Sequence, residues 1–243
     1  MLEPGLHNVD CMSAMRDYPD GYFDLAICDP PYGIGVNTMN YTRSGAIKPS
    51  RGSRATRRDY RRKGEWDVKP SKEFFAELFR VSKRQIIWGG NYFIDYLTPT
   101  KTFLVWDKRI YDHMSNDFAD CELAWVSPGL GVARVFRFMW NGYLIADRSE
   151  RSERFHPTQK PVALYEWCLK LFAKEGDKIL DPMAGSGSCL IACHNKGFEC
   201  TGFEIDEEYF KKATERINRE SAQMTIFDSQ FQQYQQRGLF DGG

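Results

Sequence analysis

Short apolar runs, most of them closed by Gly, Pro or Asp, alternate along this chain with segments whose apolar residues recur at helical spacing. That pattern leaves few folds open. Phe23–Cys28, Gln85–Trp88, Thr102–Trp106, Glu122–Val126, Lys178–Leu180 and Glu199–Phe203 are rich in β-branched or aromatic residues and read as strands. Between them, Ser71 suits the cap of a helix whose Phe74, Phe75, Leu78 and Phe79 share a face. Pro161 suits the first turn of a helix carrying Leu164, Cys168, Leu171 and Phe172, and another helix runs through Leu190 and Ala192. Asp206 opens a further helix, with Glu207 and Glu208 first, Lys211 and Lys212 later, and an apolar line through Tyr209, Ala213 and Ile217. Strands alternating with helices predict an α/β architecture: a doubly wound, mostly parallel sheet with helices on both faces.

With 243 residues, 42% of them hydrophobic and 27% charged, the chain can bury one generous core, and a single domain over 1–243 is expected. Lys plus Arg and Asp plus Glu are 33 each, so no global field selects an acidic partner and only local charge can speak. No apolar run approaches the roughly 18 residues that span a bilayer, and the opening residues lack a basic and apolar leader. A cytoplasmic protein with no membrane partner is the expectation. Seven Cys without a CxxC pair make a disulfide framework or a structural zinc poor expectations, and no metal is assigned.

Three stretches break the alternation. Residues 37–66 hold Arg43, Lys48, Arg51, Arg54, Arg57, Arg58, Arg61, Arg62 and Lys63 against Asp59 alone among acids in 40–63, and read as a solvated basic loop. Residues 108–155 have poor periodicity and mix Trp125, Phe136, Phe138, Trp140 and Tyr143 with Arg134, Arg137, Arg148, Arg151 and Arg154, which reads as an insertion. Residues 221–243 form a glutamine-rich tail.

Three strings carry chemistry. Asp29-Pro30-Pro31-Tyr32 directly follows the strand Phe23–Cys28, at the end where open α/β sheets bind ligands. The prolines fix φ and bias Asp29 towards an extended conformation, so the Asp29 carboxylate and Pro30 carbonyl become rigid acceptors beside the flat face of Tyr32. Such a set can hold a planar ring bearing an exocyclic amine. Asp181-Pro182-Met183-Ala184-Gly185-Ser186-Gly187-Ser188 joins a strand to a helix, and its glycines permit close approach of a ligand. Glu204 ends the next strand roughly 20 residues on, where a carboxylate meets ribose hydroxyls. Leu190 stands where a dinucleotide fingerprint needs its third glycine, and an Asp181 carboxylate would repel a pyrophosphate, so a cationic or zwitterionic nucleoside is favoured over a nicotinamide cofactor. The third string, His156-Pro157-Thr158-Gln159-Lys160-Pro161, leads into the helix at Pro161.

Together and in this order, the strings resemble the S-adenosylmethionine-dependent DNA amino-methyltransferases of the permuted β class, site-specific enzymes of bacteria and phages. The resemblance runs from Asn8 to about Ile217, and Met183 departs from it, since the family usually has Phe there. It implies a Rossmann-like fold in circularly permuted methyltransferase order, with Asp29, Pro30, Pro31 and Tyr32 as the catalytic motif. It further implies that Asp10, with Cys11 beside it, contacts the cofactor's adenine ring. Glu204 and Ile205 would lie at the ribose side, Gly185, Ser186 and Gly187 against the methionine part, Thr158, Gln159 and Lys160 near its carboxylate, and Asp181, Pro182, Met183 and Ala184 as the wall. The product would be S-adenosylhomocysteine.

On that resemblance the partner is double-stranded DNA, with the target base rotated out and stacked on Tyr32. Arg51, Arg54, Arg57, Arg58, Arg61 and Arg62 would meet phosphates, and Arg134 and Arg137 would read guanine edges. Asp29 favours adenine N6 over cytosine N4, for which the family more often has Ser, and carbon methylation lacks its Pro-Cys pair. An oxidoreductase would leave Asp29–Tyr32 without a role, and a silent DNA-binding module would leave the intact motifs without one. A homodimer is a family expectation. The tail segments Gln223–Phe227 and Gln236–Phe240 resemble short sliding-clamp peptides, although packing of Ile226 and Phe227 on the last helix accounts for the first as well.

Overall fold

The computed structural model describes residues 1–35, 67–109, 119–141, 144–145, 155–156 and 158–238, with the backbone alone at 141, 144, 145 and from 223 onward. Eight strands form one sheet: β1 (Gly5–Asn8), β2 (Leu25–Cys28), β3 (Gln85–Trp88), β4 (Phe103–Asp107), β5 (Cys121–Val126), β6 (Arg134–Arg137), β9 (Lys178–Asp181) and β10 (Glu199–Glu204). Their spatial order is β1-β10-β9-β2-β3-β5-β4-β6, and β7 (Trp140–Asn141) pairs with β8 (Leu144–Ile145) outside it. The sheet is parallel apart from β5, which runs against both β3 and β4. Segment 108–155 is therefore partly woven into the main sheet, because β5 and β6 are two of its strands while β7 and β8 pair apart from it. Poor periodicity there reflects an edge strand, β6, with only Phe136 turned inward.

Among the described residues the α-helices are α1 (Cys11–Met15), α2 (Lys72–Val81), α3 (Val162–Phe172), α4 (Ser188–Lys196) and α5 (Glu207–Gly238). Strand β2 explains the layering, since all four of its residues are buried and successive ones point to opposite faces. Leu25 and Ile27 join Ile86, Trp88, Leu164, Cys168, Cys189 and Cys193 in a core under α3 and α4. Ala26 and Cys28 join Ile87, Ala14, Phe74, Phe75 and Leu78 in a second core under α1 and α2. A strand buried on both sides must be apolar throughout, which is why these runs stand out in the sequence. Truncating Phe75, 1% exposed at the centre of the second core, should cost about 3–5 kcal/mol.

The chain turns both ways from the middle of this sheet. From β9 it crosses through α4 to β10, while from β2 it crosses through α2, on the opposite face, to β3. Between β9 and β2, which pair directly through Leu25 with Ile179 and Ala26 with Leu180, lies the topological switch point. The carboxyl ends of these two strands carry Asp29 and Asp181.

Candidate active site

Asp29 leaves β2 into a network of charge that local sequence does not announce. Its Oδ1 accepts hydrogen bonds from Lys160 Nζ at 2.5 Å and from the Tyr32 hydroxyl at 3.0 Å. Lys160 also reaches Glu122 Oε2 at 3.1 Å and the Tyr32 oxygen at 3.2 Å. Glu122 Oε1 in turn accepts from Lys108 Nζ at 3.0 Å. Two carboxylates thus face two ammonium groups in a site where Lys160 is 4% exposed. Burial pushes the Asp29 carboxyl above its ordinary range despite the neighbouring ammonium. Burial would also raise Glu122, but Lys160 and Lys108 override it and hold that group down at about 2. Desolvation opposes the charge of Lys160, yet Asp29 and Glu122 prevail and raise its pKa, so the ammonium persists.

Tyr32 is held from three sides. Its hydroxyl lies within hydrogen-bond reach of Asp29 and Glu122, its ring stacks on Tyr92 with centroids 4.9 Å apart, and its edge crosses Gly89. Gly89 has φ +68°, and a Cβ there would stand 2.2 Å from the Tyr32 ring, so only glycine admits the tyrosine. The expected stacking platform is consequently a tyrosine pair: Tyr92 covers one face of Tyr32 and is itself 38% exposed.

The glycine loop after β9 relies on main chain. Gly185 N donates to Glu204 Oε2 at 2.9 Å, while Glu204 Oε1 accepts from Asp206 N at 2.8 Å. Arg216 of α5, 2% exposed, donates to the Ser186 carbonyl and to Ser188 Oγ. Gly185 adopts φ +52°, and a Cβ on it would meet the His156 ring at 3.3 Å. Pro182, Ala184, Ser186 and Gly187 are buried beside it, Met183 is half-buried, and Ile205 is left 69% exposed next to Glu204. Asp181 corrects the electrostatic argument drawn from the sequence: burial drives its carboxyl well above the usual range, with Cys200, Asp29 and Glu204 adding to the effect. A group so disposed towards its neutral form does not repel an anion as a carboxylate would.

Lys160 joins the two halves, for Ser188 Oγ at the start of α4 donates to its backbone carbonyl at 2.8 Å while its side chain lies on Asp29. Lys160, expected near a cofactor carboxylate, has its ammonium turned into the Asp29 network here. Thr158 Oγ1 hydrogen-bonds with His156 Nδ1, whose ring packs edge-on against Tyr209. Gln159 is buried, with Oε1 accepting from Phe155 N and its carbonyl from Trp140 Nε1. Asp10 precedes Cys11, whose thiol is pushed up to about 12 by burial first, then by Asp10 and more weakly by Glu204. Asp10 Oδ1 caps α1 through Ser13 N and Oγ.

Of the residues expected at DNA, Arg51, Arg54, Arg57, Arg58, Arg61 and Arg62 lie outside the described residues, as do Arg43, Lys48, Asp59 and Lys63. The residues that flank that basic stretch are described: Gly33 N, just after Tyr32, donates to Asp67 Oδ1 at 2.8 Å. Arg134 is exposed on β6, and Arg137 pairs with Asp107 at 3.0 Å. Pro157, Arg148, Arg151, Arg154 and Tyr143 also lie outside the described residues. Gln223–Phe227 falls on the helical backbone of α5, and Gln236–Phe240 runs beyond its end at Gly238. Among the described residues no helix is long and apolar enough to cross a membrane.

Residues 133–215 match a family model described as DNA methylase. The chain is 30% identical over 147 residues to the type II methyltransferase M2.LlaDCHI of Lactococcus lactis subsp. cremoris, a match covering 60% of this chain and 53% of that protein. This chain thus spans about half the length of that curated relative. The fold is similar to M1.HpyAVI in complex with S-adenosylmethionine, at 20% identity and a TM-score of 0.53, covering 87% of this chain and 98% of that one. It is similar too to the cytosine-N4-specific PvuII DNA methyltransferase, at 10% identity and a TM-score of 0.55, covering 91% and 92% of the two chains.

Proposed function

We propose that this chain, which shares its fold and, over residues 133–215, its sequence pattern with the S-adenosylmethionine-dependent DNA amino-methyltransferases, moves a methyl group from that cofactor to the exocyclic N6 amine of an adenine rotated out of double-stranded DNA. One observation carries the reading. Asp29 and the glycine loop flank a single switch-point crevice, and Lys160 ties them together through its side chain on one and its carbonyl on the other.

The chain's own groups fit the cofactor. Gly185 leaves space that a Cβ would fill against His156, Glu204 fastens the loop, and the exposed Ile205 offers an apolar face beside it. Gln159 Nε2 is a buried donor with no acceptor among the described residues, which suits a carboxylate ligand. Asp10, Cys11 and Ile205 would hold the adenine, Glu204 the ribose hydroxyls, and Gly185–Gly187 with Thr158 and Gln159 the methionine part. When bound, the cofactor supplies a methyl made electrophilic by its sulfonium charge.

The remaining work belongs to the protein. An aromatic amine is a poor nucleophile because its lone pair is delocalised into the ring. Acceptors at Asp29 Oδ and the Pro30 carbonyl would favour a pyramidal nitrogen, and in a crevice that excludes water such preorganised acceptors act at full strength. Pro31 fixes the turn, and the Tyr32–Tyr92 pair gives the extruded base a stacking surface. Lys160 keeps Asp29 ionised until the amine arrives. Once the nitrogen carries the new methyl it must lose a proton, and an Asp29 whose pKa burial has raised accepts it better than an ordinary carboxylate. The basic stretch rooted at Gly33 and Asp67 would neutralise phosphates beside the crevice.

Asp29 favours adenine, because an anionic acceptor matches the resemblance to the adenine enzymes. Cytosine N4 is the second reading, supported by the likeness of fold to the PvuII enzyme. Incubating the protein with methyl-labelled S-adenosylmethionine and unmethylated genomic DNA, then digesting to nucleosides, separates the two. Label is expected in N6-methyladenine with wild type and in nothing with Asp29→Ala. Label in N4-methylcytosine selects the second reading, and a wild type that labels no DNA overturns both.

A further inference from the structure

Three thiols meet in the core away from the Asp29 network. Cys189 and Cys193, one helical turn apart on α4, share a face, and Cys200 on the adjoining β10 completes the set. Their Sγ atoms all lie within 4.8 Å of one another, and all three residues are buried. Ala184, Leu190 and the partly buried Phe198 and Ile217 belong to the same apolar cluster.

We infer that Cys189, Cys193 and Cys200 form a binding site for a trivalent, three-coordinate thiophilic element of the arsenite or antimonite class. Soft sulfur donors select soft ions, but charge and coordination number decide which kind. Zinc prefers a fourth ligand, and three thiolates would leave it a net anion. That anion would be buried in an apolar core, and burying unpaired charge is costly. A trivalent element with three thiolates is neutral, and its lone pair fills the fourth direction. In the binding step three arsenic–sulfur bonds form and three arsenic–oxygen bonds break. Each thiol proton leaves with a hydroxide as water, and no electron is transferred. Three sulfurs about 2.3 Å from one pyramidal atom stand about 3.5 Å apart, so the cluster needs to contract by at most about 1.3 Å.

The site would also touch the glycine loop. Cys189 follows Ser188, which bonds to the Lys160 carbonyl and to Arg216, and Cys200 shares β10 with Glu204, the anchor of Gly185. An occupied cluster would clamp α4 to β10 behind the loop.

The full-length protein, reduced with a thiol-free phosphine and exposed to sodium arsenite, is read by native mass spectrometry and arsenic-edge X-ray absorption. One arsenic per chain is expected, with loss of three hydrogens and three sulfur neighbours, and with a raised melting temperature. Cys193→Ala and Cys200→Ala, checked for folding by circular dichroism, should each abolish retention; Cys193→Ser and Cys200→Ser replace them if an alanine variant does not fold. Failure of folded wild type to retain arsenic overturns the site, and so does full retention in variants at both positions. Zinc held one-to-one in the same thiol-dependent way, with arsenite refused, overturns the choice of element. None of these outcomes depends on methyl transfer.

Discussion

On its β2 side the crevice is lined by Asp29, Glu122, Lys108, Lys160 and Tyr32, joined into one connected network of hydrogen bonds. On its β9 side it offers mainly backbone and small residues, secured from behind by Glu204 and Arg216. The first half can respond to pH and tolerate small backbone changes, because its work is done by charge at side-chain tips. The second cannot take a Cβ at Gly185 without strain, and its Glu204 carboxylate is tied to backbone N–H groups. If the proposed function is right, mutations on the two sides should fail differently: chemistry lost on the first, cofactor affinity on the second.

The largest expected effect is that of Asp29→Asn, which keeps the shape and removes the anion. Methyl transfer should fall by about 1000-fold or more, the scale of losing a key preorganised electrostatic group, while cofactor affinity by calorimetry stays within about 2-fold. A parallel collapse of affinity would break the division between halves. Lys160→Met comes next. It leaves the Asp29 and Glu122 carboxylates without their shared ammonium, so stability should drop by about 3 kcal/mol in denaturant unfolding. Turnover should fall by about 100-fold, the range for a positioned catalytic partner. The pH profile gives the sharper readout. Asp29 accepts only when ionised, so activity is lost as pH falls through its pKa. Removing an ammonium that lowers this pKa should therefore move the acid limb of kcat/KM to higher pH.

How much of this could be read from sequence divides along similar lines. Strands β2 and β3 were legible because two-sided burial forces nearly unbroken apolar runs, and the motif at Asp29 and the loop at Gly185 were legible because Pro and Gly mark backbone that must bend in one way. β1 and β6 were not, since Gly5–Asn8 and Arg134–Arg137 lie at the sheet's edges and carry little apolar signal. The antiparallel direction of β5 left no local trace. Glu122 and Lys108 were missed as site residues because a charged residue on a strand reads as solvent-facing until its partner is known, and Lys160 lies 131 positions from Asp29. Arg216 was missed likewise: on a helix rich in charge, nothing in sequence marks the guanidinium that folds inward. The Asp181 pKa depends chiefly on burial, which the motif alone does not reveal.

On the β9 side, Gly185→Ala asks an L residue to hold φ +52° and to press against His156. Backbone strain of about 1–3 kcal/mol or a shifted loop should follow, giving about a 10-fold rise in the KM for S-adenosylmethionine with kcat little changed. If kcat falls as well and KM holds, the loop takes part in the chemistry and the comparison fails from the other direction.

Tyr32→Phe is the mildest and the most diagnostic change. The ring keeps its stack on Tyr92 and its place over Gly89, and only the hydroxyl goes, with its bonds to Asp29, Glu122 and Lys160. A net hydrogen bond is worth about 0.5–1.5 kcal/mol, so a loss of roughly 3- to 10-fold in kcat is expected where the remaining partners can close up. Because the hydroxyl's donation to Asp29 lowers that carboxyl's pKa, the acid limb should again move to higher pH, by less than in Lys160→Met, where a full charge is removed. A shift as large as the lysine's would mean that the tyrosine proton, rather than the ammonium, sets the ionisation of Asp29. An activity loss approaching that of Asp29→Asn would mean that the hydroxyl itself touches the reacting amine, and the β2 side would then have two catalytic groups where the charge network alone suggests one.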